Sequence, residues 1–312
     1  MWLLCTVASA LLLGGYEVFK KMAVRNNSVL TVLFLTSVCC TLAFLPAFVL
    51  SRLCPDMMTG NLLYVGKLSG VEHLYVLLKS CIVLLSWTLA YYAIKGLPIT
   101  IAAPIKATQP MFVLIGAFIV FGERMNAWQW TGAIVALTCL VFYSRVGEKE
   151  GISFAHNKWI WCLIAAILTG AVSGLYDKYM MRRFDRMAVQ FWYTTYQIFL
   201  MIPIMFFYIR HQRKLATKRL APTEGIAGLG GFQWRWSIVL LSLFLCASDF
   251  LYFYALSIPD SLISVVSPIR RSGVIVPFLA GAFFLKEKNI KEKALLLLGV
   301  LLGILCLYFG SM

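Results

Sequence analysis

The sequence predicts an all-α polytopic membrane protein whose ten transmembrane helices form two inverted five-helix repeats. Three observations carry this prediction: an apolar composition, a series of apolar runs of membrane-spanning length, and an internal repeat. Of the 312 residues, 61% are hydrophobic and only 13% are charged, whereas soluble domains carry about 25% charged residues. A soluble protein of this size would lack the polar residues to cover its surface, so the soluble class is excluded. The same composition excludes the disordered, collagen-like and disulfide-scaffold classes.

Ten apolar runs are long enough to cross a bilayer, since an α-helix needs about 20 residues to span the hydrocarbon core. Three W-x-W pairs start spans 5, 6 and 8, where indole rings are expected at the level of the lipid headgroups. Loops are short except at 54–73 and 210–233. In chain order, spans 1 to 10 are Trp2–Lys20, Ser28–Leu50, Leu74–Ile94, Ile99–Phe121, Ala127–Tyr143, Trp159–Met180, Met187–Ile209, Ser237–Leu256, Ser261–Leu285 and Ala294–Phe309.

Three sequence patterns recur between the two halves of the chain. Pro104-Ile-Lys with Glu123 recurs 164 residues later as Pro268-Ile-Arg with Glu287, LAYYAI from Leu89 recurs as LYFYAL, and Gly14-x-Tyr-Glu recurs as Gly-x-Tyr-Asp. Each half holds five spans, an odd number, so the halves at 1–147 and 148–312 must cross the membrane in opposite directions. Inverted repeats of this kind are frequent in secondary transporters, which bind substrate near the midplane between the repeats.

The net charge of +15 is distributed unevenly along the chain. Of the 28 basic residues, 24 lie in loops or at span ends, which indicates membrane topology and anionic headgroups rather than nucleic acid. Loops after the odd-numbered spans carry 17 basic residues and loops after the even-numbered spans carry 7. The positive-inside rule therefore predicts that the face with the odd-numbered loops, termed the odd-loop face below, is cytoplasmic and that both termini lie outside.

Four basic residues lie well inside spans, where a charge costs at least roughly 2.5 kcal/mol. We expect Lys79, near the start of span 3, to snorkel to the interface. The other three are interpreted as an anion-binding set in a central cavity, with Gln109 and Ser267 as further substrate ligands. The alternative is that these cations pair with carboxylates and only hold the two halves together. The three cations are Lys106, Arg270 and Arg271.

Carboxylates and aromatic side chains complete the candidate site. Glu17 and Asp177 occupy equivalent positions in the two halves, and either proton coupling or a capping role near the interface explains them. Asp249 is expected to form a salt bridge with one of the span 9 arginines. Glu123 and Glu287 are expected to stabilise the turns that follow spans 4 and 9. The aromatic residues predicted to line the cavity are Tyr16, Trp87, Tyr92, Tyr176 and Tyr252.

The sequence also resembles a known family over almost its whole length. "AAPIKATQPMF" from Ala102, "GERMNAWQWTG" from Gly122 and the weaker second copy "VSPIRRSGVIVPFLAGAFFLKEK" from Val266 resemble the ten-helix, EamA-like branch of the drug/metabolite transporter superfamily. The second copy replaces the Gly-Glu of the family with Lys286-Glu287. The resemblance implies transport without ATP or a cofactor, and cytoplasmic termini, which is the opposite of what the charge count predicts. The basic pair on span 9 resembles that of phosphate-exchanging relatives.

These observations favour a secondary transporter that moves a small, anionic metabolite by alternating access. The alternative within transport is an exporter of neutral or amphipathic compounds, such as amino acids or drugs, with structural basic residues. An integral-membrane lipid enzyme is disfavoured because no clustered carboxylates or histidines of catalytic or metal-binding spacing occur, so we expect no catalytic residue and no metal. The family resemblance implies that no cofactor is needed. A channel or structural subunit is a third class. The expected partners are the substrate, the lipid bilayer and a proton or counter-substrate, but no nucleic acid; we expect a monomer or homodimer in the plasma (inner) membrane of a bacterium.

Overall fold

The regular elements of the chain are helices throughout the part that the structure describes. The computed structural model describes residues 2–121, 126–218, 232–258, 261, 263–285 and 287–310. Its helices are α1 Trp2–Val24, α2 Val29–Leu53, α3 Pro55–Met58, α4 Gly70–Gly96, α5 Ile99–Ala107, α6 Gln109–Phe121, α7 Ala127–Lys149, α8 Lys158–Met181, α9 Arg186–Lys218, α10 Ser237–Ser257, α11 Ile263–Ser272, α12 Ile275–Phe283 and α13 Ile290–Phe309.

The predicted all-helical, ten-span architecture is confirmed, with one refinement. Nine stretches among the described residues are long and apolar enough to cross a membrane, and they correspond to spans 1 to 8 and span 10. The sequence places prolines inside spans 4 and 9, which predicts broken helices there, and in the structure each span consists of two shorter helices. Span 4 consists of α5 and α6, and span 9 consists of α11 and α12.

Both breaks lie next to prolines, at positions that the repeat makes equivalent. In span 4, Pro110 lacks the N–H that would continue the helical ladder, and the Thr108 N–H instead donates to the Ile105 carbonyl at 3.2 Å, in a tighter turn. In span 9, α11 ends at Ser272, four positions after Pro268 and five before Pro277. Each break immediately follows the basic residues of its span, so those cations lie in the last turn of a short helix.

Helix packing follows the pseudo-two-fold relation between the halves. The repeat relates α1 to α8 and α4 to α10, and the contacts agree, since α1 packs on α10 while α4 packs on α8. The helix pairs α2 with α9 and α7 with α13 also join equivalent members of the two halves. The interface between the halves therefore runs through the middle of the bundle, where the broken helices also lie.

The contact of α1 with α10 and the second broken helix is very close. Ser9 and Ser248 each donate a hydroxyl hydrogen bond to the carbonyl of the other, at 2.8 and 2.9 Å. At the α11–α12 break, a Cβ added to Gly273 would lie only 2.0 Å from the carbonyl oxygen of Ala10. Only glycine permits this approach, which brings α1 against the arginines of α11.

Candidate functional site

A polar cavity of about 110 Å³ lies at the interface between the halves. Helices α1, α4, α8 and α10 form most of its wall, and the broken helices supply its basic groups. The structure brings together nine of the side chains that the sequence singles out. They are Tyr16, Trp87, Lys106, Gln109, Asp177, Asp249, Tyr252, Arg270 and Arg271.

A smaller cavity of about 30 Å³ lies beside the first, and Glu17 lines it. Lys106, Arg270 and Arg271 line both cavities. The three cations that the sequence predicts as one set therefore form the wall between two internal spaces, rather than facing lipid.

Glu17 is held between two lysines from different helices. Its carboxylate lies 2.5 Å from the ammonium of Lys106 on α5 and 2.5 Å from that of Lys20, one turn further along α1. Lys20 is fully buried and its ammonium lies 4.6 Å from the ring centre of Tyr16 and 5.3 Å from that of Tyr91. The sequence places Lys20 at the end of span 1, among the charges near the interface, but the aromatic rings and Glu17 hold it inside the bundle and stabilise its charge.

The predicted salt bridge of Asp249 is confirmed, with Arg270 as its partner. A guanidinium nitrogen of Arg270 donates to one carboxylate oxygen at 2.5 Å, and the Tyr193 hydroxyl donates to the other at 2.7 Å. The Arg270 guanidinium also stacks over the ring of Tyr252, at 3.8 Å from its centre. These contacts fix the arginine head at the edge of the cavity.

Lys79 does not snorkel to the interface, so that prediction is wrong. Its side chain is 2% exposed and forms an ion pair with Asp177 on α8, the first span of the second half. The ammonium also lies 5.0 Å from the ring centres of both Tyr193 and Phe253. A partner in the other half holds Lys79 inside the bundle, where it joins the cavity wall.

Arg271 differs from the other cations because its partner is neutral. Its guanidinium donates to the side-chain oxygen of Gln109 at 2.7 Å, and among the described residues it makes no ion pair. The described groups around the two cavities thus comprise five cations and only three carboxylates. They are Lys20, Lys79, Lys106, Arg270 and Arg271 against Glu17, Asp177 and Asp249.

Three of the predicted residues lie away from the cavity lining. Ser267 is half-buried on α11, Tyr92 stacks on Trp159 with ring centres 6.2 Å apart, and the Tyr176 hydroxyl donates to the carbonyl of Tyr75. Conversely, sequence reasoning missed Lys20, Lys79 and Tyr193 as lining residues. Tyr193 lies on span 7 and Asp249 on span 8, so nothing in the sequence indicates that the two side chains are in contact.

A polar network joins the two halves at the odd-loop face of the bundle. The Glu287 carboxylate accepts the backbone N–H groups of Ile99 and Thr100 at 2.8 and 2.9 Å, together with the Thr100 hydroxyl. Lys293 is fully buried, donates to the same hydroxyl at 2.9 Å and pairs with Glu150 at 2.8 Å. Glu287 thus caps the N-terminus of α5 in the other half, a wider role than the local turn that the sequence predicts.

The corresponding prediction for Glu123 lies outside the described residues.

Within the part of the chain that the structure describes, no cluster of three or more histidine, cysteine, aspartate or glutamate side chains has the arrangement of a metal site. Cations, aromatic rings, two carboxylates and the amide of Gln109 line the cavity instead, and such polar groups suit reversible binding of a polar ligand.

Comparison with known proteins agrees with this architecture. The sequence profile of the EamA-like transporter family matches residues 1–145 and 157–309, so one copy lies in each half. A solved structure described only as "Crystal structure of protein" is similar with a TM-score of 0.57 at 13% identity, over 98% of this chain and 95% of that chain, which shows a shared fold. No curated protein matches the chain. The chain therefore belongs to the EamA-like transporter family, as a multi-pass integral membrane protein of a family that transports small molecules.

Proposed function

We propose that the protein is a secondary active transporter that carries a small organic anion through the central cavity by alternating access. The observation that carries this proposal is Arg271, a cation in the cavity wall that hydrogen-bonds a neutral amide and has no carboxylate partner among the described residues. Arg271 is half-buried, and a charge partly removed from water without a counter-charge is costly. An anionic substrate would supply that counter-charge when it binds.

The fork of an arginine matches the geometry of carboxylates and phosphates, which it binds with two parallel hydrogen bonds. Gln109 accepts from Arg271 through its side-chain oxygen, which leaves its amide nitrogen as a donor for the same ligand. Lys106, which lines the same two cavities as Arg271, adds a point charge. This charge is only partly neutralised, because Lys106 and Lys20 share the carboxylate of Glu17. Together these groups favour a ligand of one or two negative charges.

The broken helices support the same ligand class. Gln109 begins α6, whose 13-residue helix presents its N-terminal end to the cavity. Pro110 has no N–H and the Met111 N–H donates to the Thr108 carbonyl at 3.0 Å, so this end offers an anion the positive end of the helix dipole and the Gln109 side chain. In many transporters, half-helices of this kind bind the anionic group of the substrate. The cavity is smaller than the roughly 300 Å³ of pockets for drug-sized ligands, which favours a compact metabolite.

Alternating access requires one face of the bundle to open while the other closes. On the odd-loop face, the Glu287–Thr100–Lys293–Glu150 network ties the halves together. We propose that this network breaks when the cavity opens to that side. Glu17 and Asp177 stay candidates for proton coupling, because a proton on either carboxyl would release the lysine it holds. The location in the plasma (inner) membrane of a bacterium stays a prediction.

One observation favours the second candidate, an exporter of neutral or amphipathic compounds. Four of the five cations are already in contact with a carboxylate, and Tyr16, Trp87 and Tyr252 add aromatic surface to the cavity. In that case the basic residues would serve mainly to hold the halves together, and the rings would bind the substrate.

A thermal-shift screen of the purified protein against phosphorylated, carboxylated and neutral metabolites separates the two candidates. A ligand raises the unfolding temperature only if it binds the folded state, and we expect the stabilising ligands to be anions. Arg271→Gln should lose that shift and still unfold cooperatively. Lys293→Met is the matched control, since it removes a buried cation outside the cavity and should keep the shift from a lower starting temperature. Stabilisation by neutral compounds alone, retained in Arg271→Gln, would support the second candidate.

A further inference from the structure

A second and much larger depression lies on the outside of the bundle, at the odd-loop face. This groove has a volume of about 860 Å³ and lies between the end of α1, the end of α4, the start of α10 and the end of α12. It shares none of its lining residues with the substrate cavity. Its walls combine an apolar surface with a basic rim, a combination that transport of a small anion does not use.

The apolar surface of the groove comes from α1 and α12. Val18, Phe19 and Met22 supply one side, and Phe284 and Leu285 supply the other. Phe284 is 85% exposed and Met22 is 45% exposed. In a membrane-spanning bundle, exposed apolar side chains at the periphery contact lipid tails, so the apolar lining and the volume of this groove suit an acyl chain.

Four cations form the rim. The Lys21 ammonium donates to the carbonyls of Ile94 and Leu97 at 2.6 and 2.5 Å, which are orphan acceptors at the end of α4. Lys95 donates to the carbonyl of Asn27 at 2.6 Å. Arg235 donates to the carbonyl of Met22 at 3.0 Å, and Arg25 is exposed.

These backbone contacts hold Lys21, Lys95 and Arg235 in place without neutralising them. None of the four makes an ion pair with a described residue. Glu287 is the one carboxylate among the described lining residues, and its oxygens already accept hydrogen bonds from Ile99 and Thr100. The rim therefore carries an excess of positive charge at fixed positions.

The depth of the rim matches the lipid headgroups. Arg235 lies between Trp234 and Trp236, which are 52% and 74% exposed, and exposed tryptophans mark the boundary between headgroups and acyl chains. The cations thus lie where a lipid phosphate would lie, and the apolar wall lies where its acyl chain would lie.

We propose that this groove is a binding site for one anionic glycerophospholipid, whose phosphate contacts the basic rim and whose acyl chain lies along the apolar wall. Charge complementarity distinguishes this ligand from the lipid that surrounds any membrane protein: a zwitterionic lipid brings its own cation to the rim, whereas an anionic one neutralises it. Basic clusters between transmembrane helices are the usual basis of such selectivity.

The test compares wild-type protein with Arg25→Gln/Arg235→Gln, which removes two rim cations. The matched control is Lys158→Gln/Lys291→Gln, which removes two exposed cations from the same face outside the groove. Each purified protein is titrated with dioleoylphosphatidylglycerol, dioleoylphosphatidylcholine or soluble glycerol 3-phosphate. The unfolding temperature reports stabilisation, and native mass spectrometry counts the bound lipid independently of stability.

We expect one phosphatidylglycerol per chain to be retained by the wild type and by the control. Each basic residue near an anionic headgroup contributes roughly fivefold to affinity, so the rim variant should bind about thirty-fold more weakly. Each of the three proteins should bind phosphatidylcholine more weakly than phosphatidylglycerol. Equal retention of the two lipids, or an equal loss in rim variant and control, would overturn the proposal. Stabilisation by glycerol 3-phosphate alone would also overturn it, since the site would then bind a free anion.

Discussion

The buried pair of Lys79 and Asp177 offers a direct measurement of how the two halves are held together. Lys79→Met removes the ammonium and keeps most of the apolar stem, so Asp177 is left inside the bundle without the cation that holds it. Breaking a buried pair from one side costs about 3–5 kcal/mol, because the remaining charge is uncompensated. The 2% exposure of the lysine and the 10% exposure of the aspartate place this pair in that class.

Replacing both partners removes the uncompensated charge. We therefore expect Lys79→Met/Asp177→Leu to be more stable than Lys79→Met alone, since apolar replacement of a complete buried pair is often neutral. The two substitutions should be strongly non-additive, with a coupling of about 2 kcal/mol or more. Titration with a denaturing detergent, monitored by circular dichroism, gives the free energy of unfolding for the wild type, both single variants and the double variant.

Lys158→Met serves as the control, because Lys158 is exposed at the start of α8 and its loss should change stability by less than about 0.5 kcal/mol. An unfolding midpoint for Lys79→Met equal to that of the wild type would refute the reasoning. It would mean that Lys79 reaches the interface, as its position in the sequence suggests, and that the halves are joined by other contacts.

Three further predictions concern packing, coupling and gating. Gly273→Ala should destabilise the protein by about 3 kcal/mol or more, since the added Cβ would overlap the Ala10 carbonyl. In the control Gly174→Ala, the added Cβ meets its nearest neighbour at 3.9 Å, so this variant should unfold at or above the wild-type temperature. Glu17→Gln should abolish proton-gradient-driven uptake into proteoliposomes if Glu17 couples protons, and an unchanged pH dependence would exclude that role. Glu287→Gln should weaken the cap of α5. In a background without the native cysteines, it should increase the labelling of Ile101→Cys by an impermeant thiol reagent added from the odd-loop face. Unchanged labelling would show that the network does not close this face.

The sequence was sufficient to predict the fold because membrane-spanning length and repeat symmetry are both local patterns. Ten apolar runs and three recurring registers determine the count of spans and the inverted arrangement. The prolines of spans 4 and 9 indicated broken helices, but not the residues at which each helix ends and restarts. Proline removes one hydrogen bond, but whether a helix then bends or restarts depends on what packs against it, as α1 does at Gly273.

The candidate site was predicted in part, and the errors have a common cause. Lys106, Arg270 and Arg271 stand out because charges inside apolar runs are rare. Lys79 and Lys20 lie closer to span ends, where sequence position favours snorkelling. Their burial depends on partners that only the folded bundle supplies: Asp177, 98 residues away, for Lys79, and the ring of Tyr91 for Lys20.

The same limit applies to the aromatic residues. Tyr16 and its repeat counterpart Tyr176 have the same sequence context, yet Tyr16 lines the cavity and Tyr176 contacts the carbonyl of Tyr75. The two halves differ in their ion pairs as well, since Glu17 binds the lysine of α5 whereas Asp177 binds Lys79 of α4. Pseudo-symmetry in the sequence thus predicts the backbone plan more closely than the contacts of individual side chains.

Substrate uptake tests most directly whether Arg271 meets the negative charge of the substrate. Proteoliposomes containing wild-type protein, Arg271→Lys, Arg271→Gln or the control Lys158→Gln are supplied with the anion that best stabilises the purified protein, and initial rates are measured across a range of concentrations. A hydrogen bond to a charged group contributes about 1.5–3 kcal/mol, so Arg271→Gln should raise KM or lower kcat/KM by roughly 10- to 100-fold. Arg271→Lys should retain part of the activity, and Lys158→Gln should match the wild type. Wild-type KM and kcat/KM in Arg271→Gln would contradict the account.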